Sequence, residues 1–337
     1  MRFRSLLSAS LITLLSVSCG RSGYTIEGNI IDLDEGEISL LDAYGHTIGT
    51  ALVDDGKFTF KGRVDTPCLA YINNARGVTY PIDIPVLLEN KKVITVSGDA
   101  RISHVEIKGT KANEDMVEFK VRKDALAPDD RDGYLSLVKE MFERNSDNVL
   151  GSLLISNFYS FVSDRELVGY CDRLSPEFRD DPVVTHYRTL SQARIDTEPG
   201  KPFKELVLTG RDSLEVKLSD VVKANKATVL LFWASWSREA SSLIPEVTAL
   251  CRKYERQGLT MFNVSLDSDM SRMEACEKEF GLFGKIVSCG PEAGDKAAGT
   301  YGFEGLPRLV LIDSEGKIVA KGKKAGDMSE GLERLFD

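Results

Sequence analysis

The side chains best suited to covalent chemistry are six cysteines, Cys19, Cys68, Cys171, Cys251, Cys276 and Cys289, and three histidines, His46, His104 and His186. A thiolate attacks disulfides and electrophiles, and an imidazole serves as base or metal ligand. The histidines stand far apart, and none has a spacing that seeds a metal site or a hydrolase triad. Neither a metal nor a cofactor is expected. Cys251 lies at helical spacing from Val247 and Leu250, the pattern of a buried structural thiol. Cys276 falls in the next helical stretch. Cys289, in Val287-Ser288-Cys289-Gly290, borders a loop, and a bridge between Cys276 and Cys289 would close a short loop. These two are the candidate reactive thiols.

The elements that must position such groups come from a chain of 337 residues, 42% hydrophobic and 28% charged. That composition builds real cores, excludes wholesale disorder and fits two domains with connecting structure. A net charge of -9 without a Lys/Arg block argues against holding phosphate backbones, so no nucleic-acid partner is expected.

The start of the chain is an address. Arg2 and Arg4 precede an apolar run from Leu6 to Val17, too short for a permanent membrane span and typical of an export signal. Leu15-Ser16-Val17-Ser18-Cys19 resembles a bacterial lipoprotein box. The plainer reading is an ordinary export signal with a chance cysteine. The resemblance implies that residues 1–18 are removed, that the Cys19 thiol is lipidated, and that 19–23 tether a soluble body to a membrane. Losing two arginines and no acid takes the net charge from -9 to -11. Gly20-Arg21-Ser22-Gly23 lacks the acidic cluster that often marks surface export, so the periplasmic side of the envelope is expected over the cell surface.

Residues 24–110 read as an antiparallel β-sandwich. Tyr24 to Ile30 nearly alternates, Gly36 to Leu41 follows a turn-rich break, and Asp54-Asp55-Gly56 feeds the alternating Lys57-Phe58-Thr59-Phe60-Lys61. Further strands fit Cys68 to Ile72, Val86 to Leu88 and Val93 to Ser97. This stretch resembles a domain of unknown function that often precedes thioredoxin-like domains in envelope lipoproteins. Residues 111–195 turn helical, with a capping-box signature at Ser163-Asp164-Arg165-Glu166, and read as a helical connector for packing and spacing.

Residues 196–337 form the third stretch. Thr228-Val229-Leu230-Leu231-Phe232-Trp233 is wholly apolar, as in a strand buried on both faces. Helix is expected from Ser237 to Arg256, strand from Leu259 to Leu266, helix from Ser271 to Phe280. Strands Arg308 to Ile312 and Lys317 to Lys321 then flank a turn, and a helix closes from Asp327 to Phe336. This alternation predicts an α/β domain, a mixed sheet flanked by helices. Leu230 to Trp236, Pro245, and Gly305-Leu306-Pro307 leading into Asp313-Ser314-Glu315-Gly316 resemble the thioredoxin-like envelope proteins, which include thiol-disulfide reductases and AhpC/TSA-type peroxiredoxin relatives. Two motifs about 70 residues apart carry the resemblance, which spans about 140 residues.

The resemblance implies a Cys-x-x-Cys after the second tryptophan and a cis-proline at Pro307. This chain has Ser237-Arg238-Glu239-Ala240 there. Neither serine nor alanine forms a disulfide, so the dithiol cycle is not expected. Ser237 would cap the helix, Glu239 would complement its positive end, and Pro245 would kink its interior. No base adjacent in sequence activates Ser237. The first expectation is therefore a non-catalytic thioredoxin-like lipoprotein, in which Trp233, Trp236, Leu306 and Pro307 keep a groove for an extended peptide or envelope protein, or merely a scaffold. The alternative is an envelope thiol-disulfide oxidoreductase using Cys276 or Cys289. A third is an interaction protein in which the β-domain binds and the rest is a spacer.

Overall fold

A computed structural model of the chain describes residues 23–74, 79–101, 105–209, 214–288 and 290–337. The export signal, Cys19, His104 and Cys289 lie outside the described residues. The chain divides into two compact units, one running to Leu154 and the other from Ile155 to Asp337. The helical stretch read as one connector is thus shared between the two. Among the described residues no helix is long and apolar enough to cross a membrane.

The first unit opens with β1 (Tyr24–Ile31), β2 (Gly36–Asp42), β3 (Thr47–Val53), β4 (Lys57–Gly62), β5 (Cys68–Asn74), β6 (Asp83–Leu88), β7 (Val93–Asp99) and β8 (Val105–Lys108). They form two four-stranded sheets, ordered β4-β1-β7-β8 and β3-β2-β5-β6. Alternation supplies the inner faces: Phe58 and Phe60 point inward while Lys57, Thr59 and Lys61 point out. Both sheets feed one core, with Ile26, Ile94 and Phe60 from the first and Leu40, Ile72 and Val86 from the second. The expected sandwich is present. Its neighbours pair antiparallel except β1 with β7, which run parallel from Thr25↔Val93 to Ile31↔Asp99. Strands β3 and β8 had no counterpart in the sequence reading.

Helices α1 (Lys111–Asp124) and α2 (Arg131–Asn145) follow. Asn113 is fully buried and docks α1 on the sheet. Its Oδ1 accepts from Leu87 N at 2.8 Å and its Nδ2 donates to Leu87 O at 2.8 Å. Asp115, also buried, accepts from Lys111 Nζ at 3.0 Å, from Asn145 Nδ2 at 2.8 Å, and from Arg144. Burying that carboxylate is tolerable because each oxygen has a cationic or amide partner. These partners hold its carboxyl below the usual range against the upward push of burial.

The rest of the chain contains α3 (Val149–Phe158), in which the division falls, α4 (Asp164–Arg173), α5 (Pro176–Arg179) and α6 (Pro182–Asp196). The capping box predicted at Ser163 is formed reciprocally with Glu166. Then come β9 (Val207–Thr209), β10 (Glu215–Lys217), α7 (Leu218–Ala224), β11 (Ala227–Trp233), α8 (Arg238–Tyr254), β12 (Leu259–Ser265), α9 (Met270–Phe280), β13 (Lys285–Ser288), α10 (Gly290–Thr300), β14 (Arg308–Asp313), β15 (Ile318–Gly322) and α11 (Gly326–Phe336). A five-stranded sheet has the order β13-β12-β11-β14-β15. Strand β11 pairs parallel with β12 and antiparallel with β14. Leu230 and Phe232 face one apolar cluster, Val229, Leu231 and Trp233 the other. The result is a mixed sheet with helices on both faces, the thioredoxin-like architecture. Pro245 lies inside α8, which runs unbroken around it.

Helix α6 is seamed to this sheet domain. Arg194 Nε donates to Gly302 O at 2.8 Å. Gly302 has φ +68, and a Cβ there would meet Arg194 Cγ at 2.4 Å and Leu190 O at 2.9 Å. Only glycine permits both that backbone and that approach. Lys321 Nζ donates to Thr197 Oγ1 at 2.6 Å and Tyr301 O at 2.9 Å, and lies over the Phe303 ring at 4.9 Å. Burial, helped by the Arg194 guanidinium and opposed by Asp164 and Glu198, lowers Lys321 from 10.5 to about 8. The unfolded chain therefore holds this proton between pH 8 and 10.5 while the folded chain does not, so this group's contribution to stability rises with pH across that window. Below it both states are protonated and the penalty stands in full. Thermal melts of the natural chain beside Lys321→Met should show the natural chain gaining relative stability from about pH 8 to about pH 10. Parallel pH curves would contradict this account.

Candidate functional site

The carboxyl ends of β11 and β12 converge with the bend before β14, the place where a mixed α/β sheet offers a crevice. Strand β11 leaves the core at Trp233, and the chain turns through Ala234, Ser235 and Trp236 into α8. Ser237 is the N-cap, with extended backbone. Its Oγ accepts from Ala240 N at 3.4 Å and lies 3.2 Å from Leu306 O, to which it donates. The hydroxyl thus ties the start of α8 to the opposing bend. The Leu306–Pro307 peptide is cis, as the resemblance implied. Ala240, three residues on, is fully buried.

The four residues expected to form a groove part company. Trp236 is 59% exposed. Leu306 is half-buried and Pro307 buried beside the bend. Trp233 is fully buried in the cluster beneath α8 and α9, edge-on to Phe280 at 5.8 Å. It is a core residue and not part of the groove, because a strand buried on both faces points its last residue inward.

Asp267, just beyond β12, had no place in the sequence reading. It is 2% exposed. One carboxylate oxygen accepts from Ser235 Oγ at 2.6 Å, the other from Ser265 Oγ at 2.8 Å, and both lie within 3.1 Å of Ser235 N. This carboxylate pins the turn that carries Trp236. The sequence signal was an acidic residue directly after an apolar strand, but its partner Ser235 is 32 positions away. Asp267→Ala removes the carboxylate that accepts from Ser235 N–H and Oγ, which should cost about 1–3 kcal/mol in urea denaturation.

Of the two candidate thiols, Cys289 is outside the described residues and Cys276 lies away from the helix start. Cys276 is half-buried on α9, against the cluster below the sheet. Burial pushes its pKa up, and the Glu279 and Asp267 carboxylates push it further against a weaker pull from Arg272. Cys171 and Cys251 are buried, which raises them to about 11 and about 12. None of these three is an activated thiolate at neutral pH. Alkylation of Cys276 by iodoacetamide, read by peptide mapping, should still be accelerating above pH 9.0. A plateau near neutrality would mark an activated thiol. Among the described residues no group of three or more His, Cys, Asp or Glu is placed to hold a metal.

Comparison with known proteins assigns the two domains. Residues 24–116 match a domain of unknown function, DUF4369, and residues 199–321 match the AhpC/TSA family. The C-terminal domain is thus similar to that family over residues 199–321. It is similar to the thiol-disulfide oxidoreductase ResA of Bacillus anthracis, 28% identical over 134 residues that cover 39% of this chain and 75% of that protein. ResA of Geobacillus thermodenitrificans is likewise 28% identical over 134 residues, covering 40% and 74%. Among solved structures, the thioredoxin domain of a thiol-disulfide oxidoreductase from Bacteroides vulgatus has 21% identity and a TM-score of 0.37, covering 41% of this chain and 98% of that one. A thiol-disulfide oxidoreductase from Bacteroides fragilis has 25% identity and a TM-score of 0.36, covering 40% and 99%. The sequence relatives of this stretch are named thiol-disulfide oxidoreductases, which agrees with the family resemblance and fits the oxidoreductase alternative better than the non-catalytic expectation. The helix start of this domain nevertheless reads Ser237-Arg238-Glu239-Ala240, without sulfur.

Proposed function

We propose that this chain is an envelope lipoprotein, anchored through Cys19 on the periplasmic side, whose AhpC/TSA-type domain binds extended polypeptide at the face of Trp236, Leu306 and Pro307 and does not run a dithiol cycle. The observation that carries this reading is the Ser237 hydroxyl between the Ala240 amide and the Leu306 carbonyl. It occupies the helix N-terminus where lowered thiol pKa values arise in disulfide chemistry, and an alcohol there makes no disulfide. The exposed indole of Trp236, which borders the same cavity as Leu306, offers a large apolar contact surface with a polar N–H at one edge. The main-chain N–H groups of Gly305 and Leu306 donate no hydrogen bond among the described residues and suit the backbone of an extended segment.

Kinship supports a second reading, since the relatives above are named thiol-disulfide oxidoreductases. In that case Cys276 or Cys289 does the exchange. Two assays on the chain from Arg21 onward separate the readings: dithiothreitol-coupled insulin reduction, beside a form with every remaining cysteine changed to serine, and binding of reduced, carboxymethylated α-lactalbumin. The expected result is no insulin rate above the uncatalysed blank, with polypeptide binding weakened at least about tenfold by Trp236→Ala, the scale of losing one buried aromatic anchor. An insulin rate that disappears in the serine form would establish the oxidoreductase instead.

A further inference from the structure

Beside the Trp236 face lies a cavity of about 780 Å³. Its size falls in the range of roughly 300–1,000 Å³ usual for sites that enclose a ligand. The floor is apolar, with Leu266, Ala298, Phe303 and Leu306, and the indole of Trp236 borders it. The far wall is α6, which belongs to neither family match.

Two neighbouring stripes of α6 divide the labour, as residues four apart on a helix share a face. His186, Leu190 and Arg194 make the seam. Leu190 is buried, Arg194 holds Gly302 O and contacts Glu304 at 3.4 Å, and His186 Nε2 lies 3.7 Å from Glu304. Tyr159 also donates to Glu304. Thr185, Thr189 and Ala193 line the cavity, and His186 and Leu190 of the first stripe reach its lining as well. This second stripe is short where a bulky residue would fill the space, and its two threonines are exposed. The charges at the rim balance in sign: Asp295 and Lys296 are successive residues of α10, and Glu304 is held by Arg194 with His186 Nε2 3.7 Å away. An apolar, uncharged segment is the electrostatic match.

We infer that α6 is the specificity wall of the polypeptide site, admitting an extended segment that inserts a bulky apolar side chain between the Thr185–Thr189 stripe and Trp236. This rests on the polypeptide-binding reading above. The seam makes the wall a fixed part of the domain, so the cavity is formed before any partner arrives and its ordering cost is already met.

The test uses the mature chain with reduced, carboxymethylated α-lactalbumin as the unfolded probe and native α-lactalbumin as the folded one, titrated by calorimetry. Thr189→Phe and, separately, Thr185→Phe fill the cavity from exposed positions, so melting temperature should stay near that of the natural chain. Each is expected to weaken the unfolded probe at least about tenfold, while Gln192→Phe, exposed on the same helix and outside the cavity lining, binds as the natural chain does. The folded probe should bind none of them. If both Phe variants bind normally while Trp236→Ala does not, the wall is refuted and the polypeptide site stands. If the natural chain takes the folded probe as well as the unfolded one, the preference for an extended segment is refuted. If it takes neither, the polypeptide-binding reading fails and this inference with it.

Discussion

All seven residues of β11 are buried, and the second unit depends on that constraint. A strand covered on both faces needs neighbours on both edges, or its amide groups would be buried without partners. It finds β12 on one side and β14 on the other. The parallel partner requires a crossover helix, which is α8; the antiparallel partner brings the cis-proline bend to the same end of the sheet. The junction of Ser237 with Leu306 is therefore a product of sheet pairing. Asp267 arrives there by the same logic, since β12 ends level with β11 and its next residues face the turn that β11 makes.

At the helix start, where disulfide chemistry needs a thiolate, stand a serine and an alanine. Cys171, Cys251 and Cys276 lie where burial holds the proton on. Similarity to thiol-disulfide oxidoreductases and the local chemistry of the helix start thus point in different directions. A crevice comes from backbone geometry while a reagent is one side chain, so the one does not fix the other.

The parts legible in the sequence were those set by local pattern. β11 was plain from its unbroken apolar run, β4 from alternation, and α4 from the capping box of Ser163 and Glu166. What escaped depends on contacts distant in sequence. Helix α10 carries Gly290, Gly294 and Gly299 and has little intrinsic preference for helix. Gly294 packs so close to Leu266 that a Cβ would sit 2.3 Å from its Cγ. Strand β3 leaves Ile48 and Leu52 exposed, so it lacks the clean apolar-in pattern. The parallel pairing of β1 with β7 joins segments some 70 residues apart, and no local motif announces it. Trp233 and Trp236 differ by three positions but lie on opposite sides of a strand end, which only the structure separates.

The contact between Gly302 and α6 also bears on where this protein can be cut. The family match begins at residue 199, three positions beyond the end of α6. A fragment started there would leave Gly302 facing solvent and strip the Lys321 ammonium of Thr197. It would also uncover the apolar surface on which Leu190 rests. The heritable segment and the physical body have different edges, and the body begins some forty residues earlier, near Ile155.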